Sequence, residues 1–240
     1  MRSGNPVLKN DTFNPSGHGE TMTLGGTIAK IALLFLFLLG TAAYTWYQYA
    51  QGVNVTMMMT IGAIGGLIIA LITIFIPKAA PITAPIYAAL EGFLIGGLSA
   101  FLESSYSGIV IQAVSLTLAV MGALLFLYAA RIIKVTKNFR LMVVSATLGI
   151  FIVYLVHLIL NLFFGMQVPY LHDSGPIGIG ISLFIVAIAA LNLVLDFDFI
   201  EAGVNNGAPK HMEWYGAFGL IVTLVWLYIE ILRLLQKLRR

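Results

Sequence analysis

The stretch GPIGIGISLFIVAIAALNLVLDFDFIEAG, residues 175–203, decides the fold because about twenty mostly apolar residues run through it without a charge. A run of this length can cross roughly 30 Å of hydrocarbon as an α-helix. Charges appear only where the run ends, as Asp196, Asp198 and Glu201. The stretch therefore predicts a membrane-spanning helix with acids near one of its ends.

The whole chain has the composition of an integral membrane protein. Its 240 residues are 60% hydrophobic and 10% charged, whereas soluble domains contain about 25% charged residues. A search for apolar windows of about 20 residues predicts seven spans. These lie near residues 26–48, 55–76, 82–102, 106–130, 141–164, 175–197 and 214–235. The predicted fold class is an all-α membrane protein, a seven-transmembrane-helix bundle.

The first 22 residues differ from the rest of the chain. They are rich in Gly, Asn, Pro and Ser and have no apolar period, which predicts a flexible polar tail over residues 1–22. Residues 23–240 then form one seven-helix transmembrane domain. A cleaved signal peptide is the competing interpretation of the first apolar run, but its apolar region would be only about 7–15 residues long. We therefore expect the first span to be retained.

Basic residues are distributed unevenly between the two sides of the predicted membrane. The side of the N-terminus holds nine Lys and Arg residues, and the three loops on the other side hold none. Cytoplasmic loops carry an excess of basic residues, so the N-terminus is predicted to be cytoplasmic. If the last span crosses fully, four basic residues lie outside: Arg233, Lys237, Arg239 and Arg240. A re-entrant last segment is the alternative, and we expect seven full spans.

Ionisable side chains inside apolar spans are costly, so a functional role is the default hypothesis for them. Glu91 comes about ten residues into the third span, hence roughly 15 Å deep and near the midplane. Asp196 and Asp198 lie near the inner boundary of the sixth span. Because they are two residues apart on a helix, they point to different faces, and at most one looks into the bundle. Simple hydration at a helix end is the structural alternative for both.

Two further charged residues belong to the candidate ion pathway, Glu230 and Lys78. Glu230 lies toward the outer end of the seventh span and has Arg233 three residues later, which favours an ion pair within the helix over a role in the pathway. Lys78 is at the depth of Asp196, and it either neutralises that acid or extends to the headgroups. Gly92 and Gly96 form a GxxxG step, which predicts close helix packing.

Several chemistries do not fit the sequence. Cysteine is absent, no Walker loop or dinucleotide fingerprint occurs, and the histidines fall on different sides of the predicted membrane, so they cannot converge on one zinc ion. The formal net charge of +3 is too small to indicate nucleic-acid binding. We therefore expect a protein that is not an enzyme, has no cofactor and does not bind nucleic acid. Whether it holds a metal ion stays open at this point.

Three passages carry a family resemblance: APIYAALEGFLIGGLSAFLE at residues 84–103, LDFDFIEAG at 195–203 and GAFGLIVTLVWLYIEILRLL at 216–235. Together with seven spans, they resemble the Bax inhibitor family, the seven-span proteins that carry the transmembrane Bax inhibitor motif, including bacterial inner-membrane relatives. The resemblance places Glu91 and Asp196 on family positions and Asp198 where the family has a glutamine. Thr223 falls where the family has the aspartate of its last span.

The resemblance implies a pH-sensitive passive cation pathway, chiefly a calcium leak, controlled by two aspartates from the sixth and last spans. It also implies a bacterial inner-membrane location. Calcium ions and protons are then the expected small partners, beside the lipid bilayer. With Thr223 at the second aspartate position, Asp196 lacks its usual partner, and Glu91, Asp198 or Lys78 could supply another. The alternative hypothesis is a non-conducting protein that modulates a membrane protease or another membrane protein.

Overall fold

The computed structural model describes residues 20–166 and 173–240, and these contain seven long α-helices. The helices are α1 Leu24–Ala50, α2 Thr56–Phe75, α3 Ala80–Ser105, α4 Ile109–Ala129, α5 Lys137–Phe164, α6 Pro176–Asn205 and α7 Met212–Leu238, with a short 3₁₀ turn, Pro77–Ala79, before α3. Each helix is long and apolar enough to cross a membrane. The predicted seven-helix bundle is confirmed.

Helix α6 extends farther than the sequence predicts. The apolar run indicates a span that ends near residue 197, but the helix continues to Asn205 and includes all three acids of the opening stretch. Hydropathy indicates where a helix leaves apolar surroundings. The helix itself can continue beyond that point when its polar side chains find partners. Asp198 and Glu201 find such partners at the end of α4, in the connection that follows it and in the first turn of α5. The helix therefore continues beyond the predicted end of the apolar span, and all three acids lie within it.

Helix α7 is continuous over 27 residues, which corresponds to about 40 Å at 1.5 Å per residue. The last segment is therefore a full-length helix and not a re-entrant one. Among the seven spans, α3 and α7 have the largest buried shares. Helix α7 contacts α1, α3, α4 and α6, so it forms the centre around which the other helices pack.

Glycines allow three of the helices to approach closely. A Cβ atom at Gly92 or Gly96 of α3 would collide with the backbone of α1, and one at Gly62 of α2 would collide with the Leu90 carbonyl of α3. Small residues are common at such contacts because lipid offers no hydrophobic drive for helix association. The prediction that Gly92 and Gly96 serve packing is confirmed.

The N-terminal segment reaches the bundle just before α1. Thr21 forms an isolated β-bridge with Pro209, in the connection between α6 and α7, and Met22 is buried with 2% exposure. Residues 1–19 of the predicted tail lie outside the described residues. The contacts of Thr21 and Met22 place the start of α1 beside the start of α7.

Candidate functional site

Asp196 lies at the contact between α6 and α7. A Cβ atom built on Gly219 of α7 would be 3.8 Å from the Asp196 Oδ1 atom. One turn farther along α7, the Thr223 side chain is close enough to interact with the same carboxyl group. Gly219 and Thr223 are four residues apart, so they share one helix face. The Asp196 carboxyl therefore lies beside the face of α7 that carries Gly219 and Thr223.

The second carboxylate oxygen of Asp196 lacks a partner. Its Oδ2 atom is buried and has no hydrogen bond within the part of the chain that the structure describes. None of the ion pairs among the described residues includes Asp196. A buried carboxylate with neither a cation nor enough hydrogen bonds is costly, whereas a neutral carboxyl group is tolerated. The main feature of the site is thus one buried acid with too few hydrogen bonds and no positive partner.

The other two acids of α6 hold its last turns to the end of α4, to the α4–α5 connection and to the first turn of α5. The Arg140 Nη2 atom donates to the Asp198 Oδ2 atom at 2.7 Å. Glu201 accepts from the Tyr128 hydroxyl and from the Arg131 guanidinium. Arg131 has a φ of 59°, a conformation that is uncommon outside glycine. These contacts agree with the expectation that Asp196 and Asp198 face different directions.

Glu91 lies between α2 and α3 and is 9% exposed. Its Oε2 atom would be 3.1 Å from a Cβ atom built on Gly66 of α2, so the absence of a side chain at Gly66 makes room for the carboxyl. Tyr87, one turn earlier on α3, packs edge-on against Phe218 of α7 with ring centroids 5.0 Å apart. The interior position predicted for Glu91 is confirmed, and aromatic packing connects its neighbourhood to the helix that contacts Asp196.

The remaining predicted residues lie apart from Asp196. Lys78 is exposed in the 3₁₀ turn and forms no ion pair with a described residue. Glu230 pairs with Arg233 at 3.1 Å, as the spacing predicts, but it is also 1% exposed and accepts a hydrogen bond from Tyr154 of α5 at 2.9 Å. Among the described residues, no hydrogen bond or ion pair joins Asp196 to Glu91, Asp198, Glu230 or Lys78.

The sequence interpretation missed one buried acid, Glu213 in the first turn of α7. Its carboxylate is fully buried and pairs with Lys30 of α1 at 2.6 Å and with Lys210 at 3.3 Å, while Thr23 donates to it from both its backbone and its hydroxyl. The Glu213 carboxylate raises the pKa of Lys210 above its usual value. Lys30, an isolated charge near the start of an apolar span, was the signal that could have indicated a buried partner.

A resident metal site would need several His, Asp or Glu side chains close together. Within residues 20–166 and 173–240, no three His, Asp or Glu side chains come together in a way that could hold a metal ion. Asp196 and Glu91 are instead single carboxylates on different helices. The arrangement offers isolated oxygen ligands along the bundle interior, not a coordination cage.

Comparison with known proteins gives one match. A family model described as "Bax inhibitor 1 like" matches residues 5–240, nearly the whole chain. No curated protein sequence and no solved structure gives a significant match to the chain.

Proposed function

Because the chain belongs to the Bax inhibitor 1-like family, we propose that it is a passive, pH-sensitive cation leak, chiefly for calcium, with Asp196 as its titrating group. The observation that carries the proposal is the buried Oδ2 atom of Asp196, which has no hydrogen-bond partner among the described residues. This atom lies where α6 packs on α7, so its charge acts directly on that contact.

Protonation of Asp196 favours the closed bundle. A neutral carboxyl group can stay beside Gly219 and interact with Thr223, and its burial is inexpensive. The ionised form needs water or a cation, because the described part of the chain provides no positive partner. Rising pH therefore loosens the α6–α7 contact and admits water and cations. Falling pH restores the closed contact.

Glu91 provides a second interior carboxylate in this scheme. Carboxylate oxygens are the ligands that calcium prefers, and isolated ones bind an ion weakly enough to release it, as passive flow requires. Asp198 differs because Arg140 already neutralises it. Glu230 likewise has Arg233 and Tyr154 as partners. We therefore propose that the cation passes along Asp196 and Glu91.

The orientation follows from charge. The N-terminus is cytoplasmic in this proposal, since the loops on that side hold the basic residues, and the inner membrane of a bacterium is the proposed location. Asp196 then lies nine residues before Asn205, the cytoplasmic end of α6. A role in transport, without catalysis and without a cofactor, is part of this proposal.

A calcium flux assay with the purified chain in proteoliposomes tests the proposal. We expect influx above that of empty liposomes, and we expect it to increase severalfold between about pH 6 and pH 8 as the acid ionises. Flux equal to the empty-liposome background across this range would contradict the proposal.

A non-conducting role is the second candidate, and the exposure of α5 favours it. Of its residues, only Val143 and Ile150 are buried, so a broad apolar face is available to another membrane protein, such as a protease that this chain would modulate. Co-purification of a partner in fixed stoichiometry, together with background flux from the chain alone, supports this candidate over the leak.

A further inference from the structure

A polar cavity of about 210 Å³ lies where the end of α7 meets α5 and the first turns of α6. Its wall includes Tyr154, Ser182, Glu230, Arg233, Lys237 and Arg240. Glu230 follows Thr223 by seven residues, which is roughly 10 Å along the helix. The cavity is therefore separate from the gate proposed at Asp196.

One wall atom, Oε2 of Glu230, is an unused hydrogen-bond acceptor. The Tyr154 hydroxyl at 2.9 Å and the Arg233 Nη1 atom at 3.1 Å both donate to Oε1 of this carboxylate. The Oε2 atom is buried and has no hydrogen-bond partner among the described residues. Buried carboxylate oxygens in native structures nearly always accept a hydrogen bond. We therefore expect the donor to this oxygen to come from outside the described residues.

The wall also carries an excess of positive charge. Lys237 is 8% exposed, and its Nζ atom donates to the Gly178 carbonyl at 2.9 Å and to the Ser182 hydroxyl at 2.8 Å, which fixes this charge in place. Arg233 and Arg240 add two more positive charges. Glu230 and the nearby Asp173 are the negative charges that act on Lys237. Three positive charges against two negative ones favour an anionic ligand.

We propose that this cavity binds a phosphate ester that carries hydroxyl donors, such as the glycerol-phosphate headgroup of an anionic lipid. The phosphate contacts Arg233 and Arg240, whose guanidinium groups match phosphate oxygens well. A glycerol hydroxyl donates to the Oε2 atom of Glu230. A choline headgroup also carries a phosphate, but its quaternary ammonium has no hydrogen-bond donor for Glu230 and is repelled by the three cationic side chains.

The position of the cavity suits a lipid. Ser182 lies six residues after Pro176, the first residue of α6, so it is roughly 9 Å from that end. Arg240 lies just beyond the last residue of α7, Leu238. The cavity volume equals about seven water molecules at roughly 30 Å³ each. This is room for a glycerol-phosphate group, while the acyl chains remain in the bilayer.

Native mass spectrometry of the full chain tests the inference with lipids that have identical acyl chains. We expect phosphatidylglycerol to bind about tenfold more tightly than phosphatidylcholine, and about threefold more tightly than phosphatidylmethanol, which has the same charge but no hydroxyl. Soluble glycerol 3-phosphate distinguishes the sources. Displacement of the lipid at millimolar concentration assigns the site to a soluble ester, and retention of the lipid assigns it to the membrane.

Matched variants locate the binding. Arg233→Gln should weaken phosphatidylglycerol binding about tenfold, whereas Arg239→Gln should change it less than about twofold. Arg239 is the control because it donates to the Ser107 carbonyl and to Gln112, outside the cavity. Glu230→Gln should abolish the preference for phosphatidylglycerol over phosphatidylmethanol.

Equal binding of the three lipids by the unmodified chain would overturn the inference, as would equal effects of Arg233→Gln and Arg239→Gln. If Glu230→Gln fails to fold, the lipid series on the unmodified chain still decides the role of the hydroxyl. The readout is lipid retention and not flux, so its outcome is independent of the proposed cation leak.

Discussion

Thr223 of α7 interacts with the Asp196 carboxyl of α6. The family resemblance assigns an aspartate to the position of Thr223, so this chain pairs one acid with one hydroxyl where two acids are expected. Two carboxyl groups within hydrogen-bond reach share a proton and titrate as a coupled pair. A hydroxyl cannot do so at physiological pH. Where Asp196 meets residue 223, the contact between α6 and α7 therefore has one carboxyl group and not two.

Thr223→Asp should restore a coupled pair. The first deprotonation leaves a shared proton that still bridges the two carboxyl groups, and the second is opposed by the charge already present. If opening requires loss of the last proton, the midpoint of the flux increase moves to higher pH, by about one unit or more. Calcium influx into proteoliposomes as a function of pH measures this shift.

Thr223→Asn is the matched control for that substitution, because it has the size of aspartate without a titrating group. Its midpoint should stay near that of the unmodified protein. A midpoint that moves equally in both variants would show that side-chain size at residue 223, not proton sharing, sets the pH response.

Gly26→Ala should destabilise the protein. The added Cβ atom would collide with the Glu213 carboxylate, which is buried against Lys30. Overpacking of this kind costs about 1–3 kcal/mol. Gly25→Ala is the control, because nothing lies within 4 Å of a Cβ atom there and alanine favours a helix over glycine. Thermal unfolding in detergent should give a lower midpoint for Gly26→Ala only, and equal midpoints would contradict the described position of Glu213.

The ion pair between Arg140 and Asp198 should contribute little to stability. Both side chains are partly exposed, at 61% and 25%, and exposed pairs of this kind are worth about 0–1 kcal/mol. A double-mutant cycle of Arg140→Gln and Asp198→Asn, followed by unfolding in detergent, measures the coupling energy. A coupling above about 2 kcal/mol would instead indicate a contact that is largely desolvated in the membrane.

The orientation can be measured with single cysteines, because the chain has none of its own. We expect a cysteine at Asn138, beside the basic residues between α4 and α5, to react with a membrane-impermeant maleimide only after the cytoplasmic side is opened. A cysteine at Gly52, in the connection from α1 to α2, should react in intact cells. The reverse labelling pattern would show that the N-terminus lies on the outer side of the membrane.

The sequence predicts the number of helices well but not their ends. Apolar runs of about 20 residues identify the spans because the bilayer thickness fixes their length. The end of α6 was predicted too early, since Asp198 and Glu201 reduce hydropathy but are held by Arg140 and Arg131 on another segment. Spacing along one helix does reveal which residues share a face. For this reason, Asp196 and Asp198 were correctly expected to point in different directions.

Contacts between distant parts of the chain are where the sequence is least informative. Lys30 and Glu213 are 183 residues apart, and no local period indicates that they meet. The ion pair of Glu230 with Arg233 follows from a spacing of three residues, but the burial of Glu230 depends on Tyr154 from another helix. Thr223 could be placed beside Asp196 only through the family resemblance.

The pH dependence of calcium flux in Asp196→Asn tests the central claim most directly, with Asp198→Asn as its matched control. Asparagine resembles the protonated side chain at either position, but only Asp196 lies in the α6–α7 contact without a positive partner. We predict that Asp196→Asn keeps the low flux of the unmodified protein at about pH 6 across the whole range up to about pH 8, while Asp198→Asn retains the increase. A normal pH-dependent increase in Asp196→Asn would contradict the account.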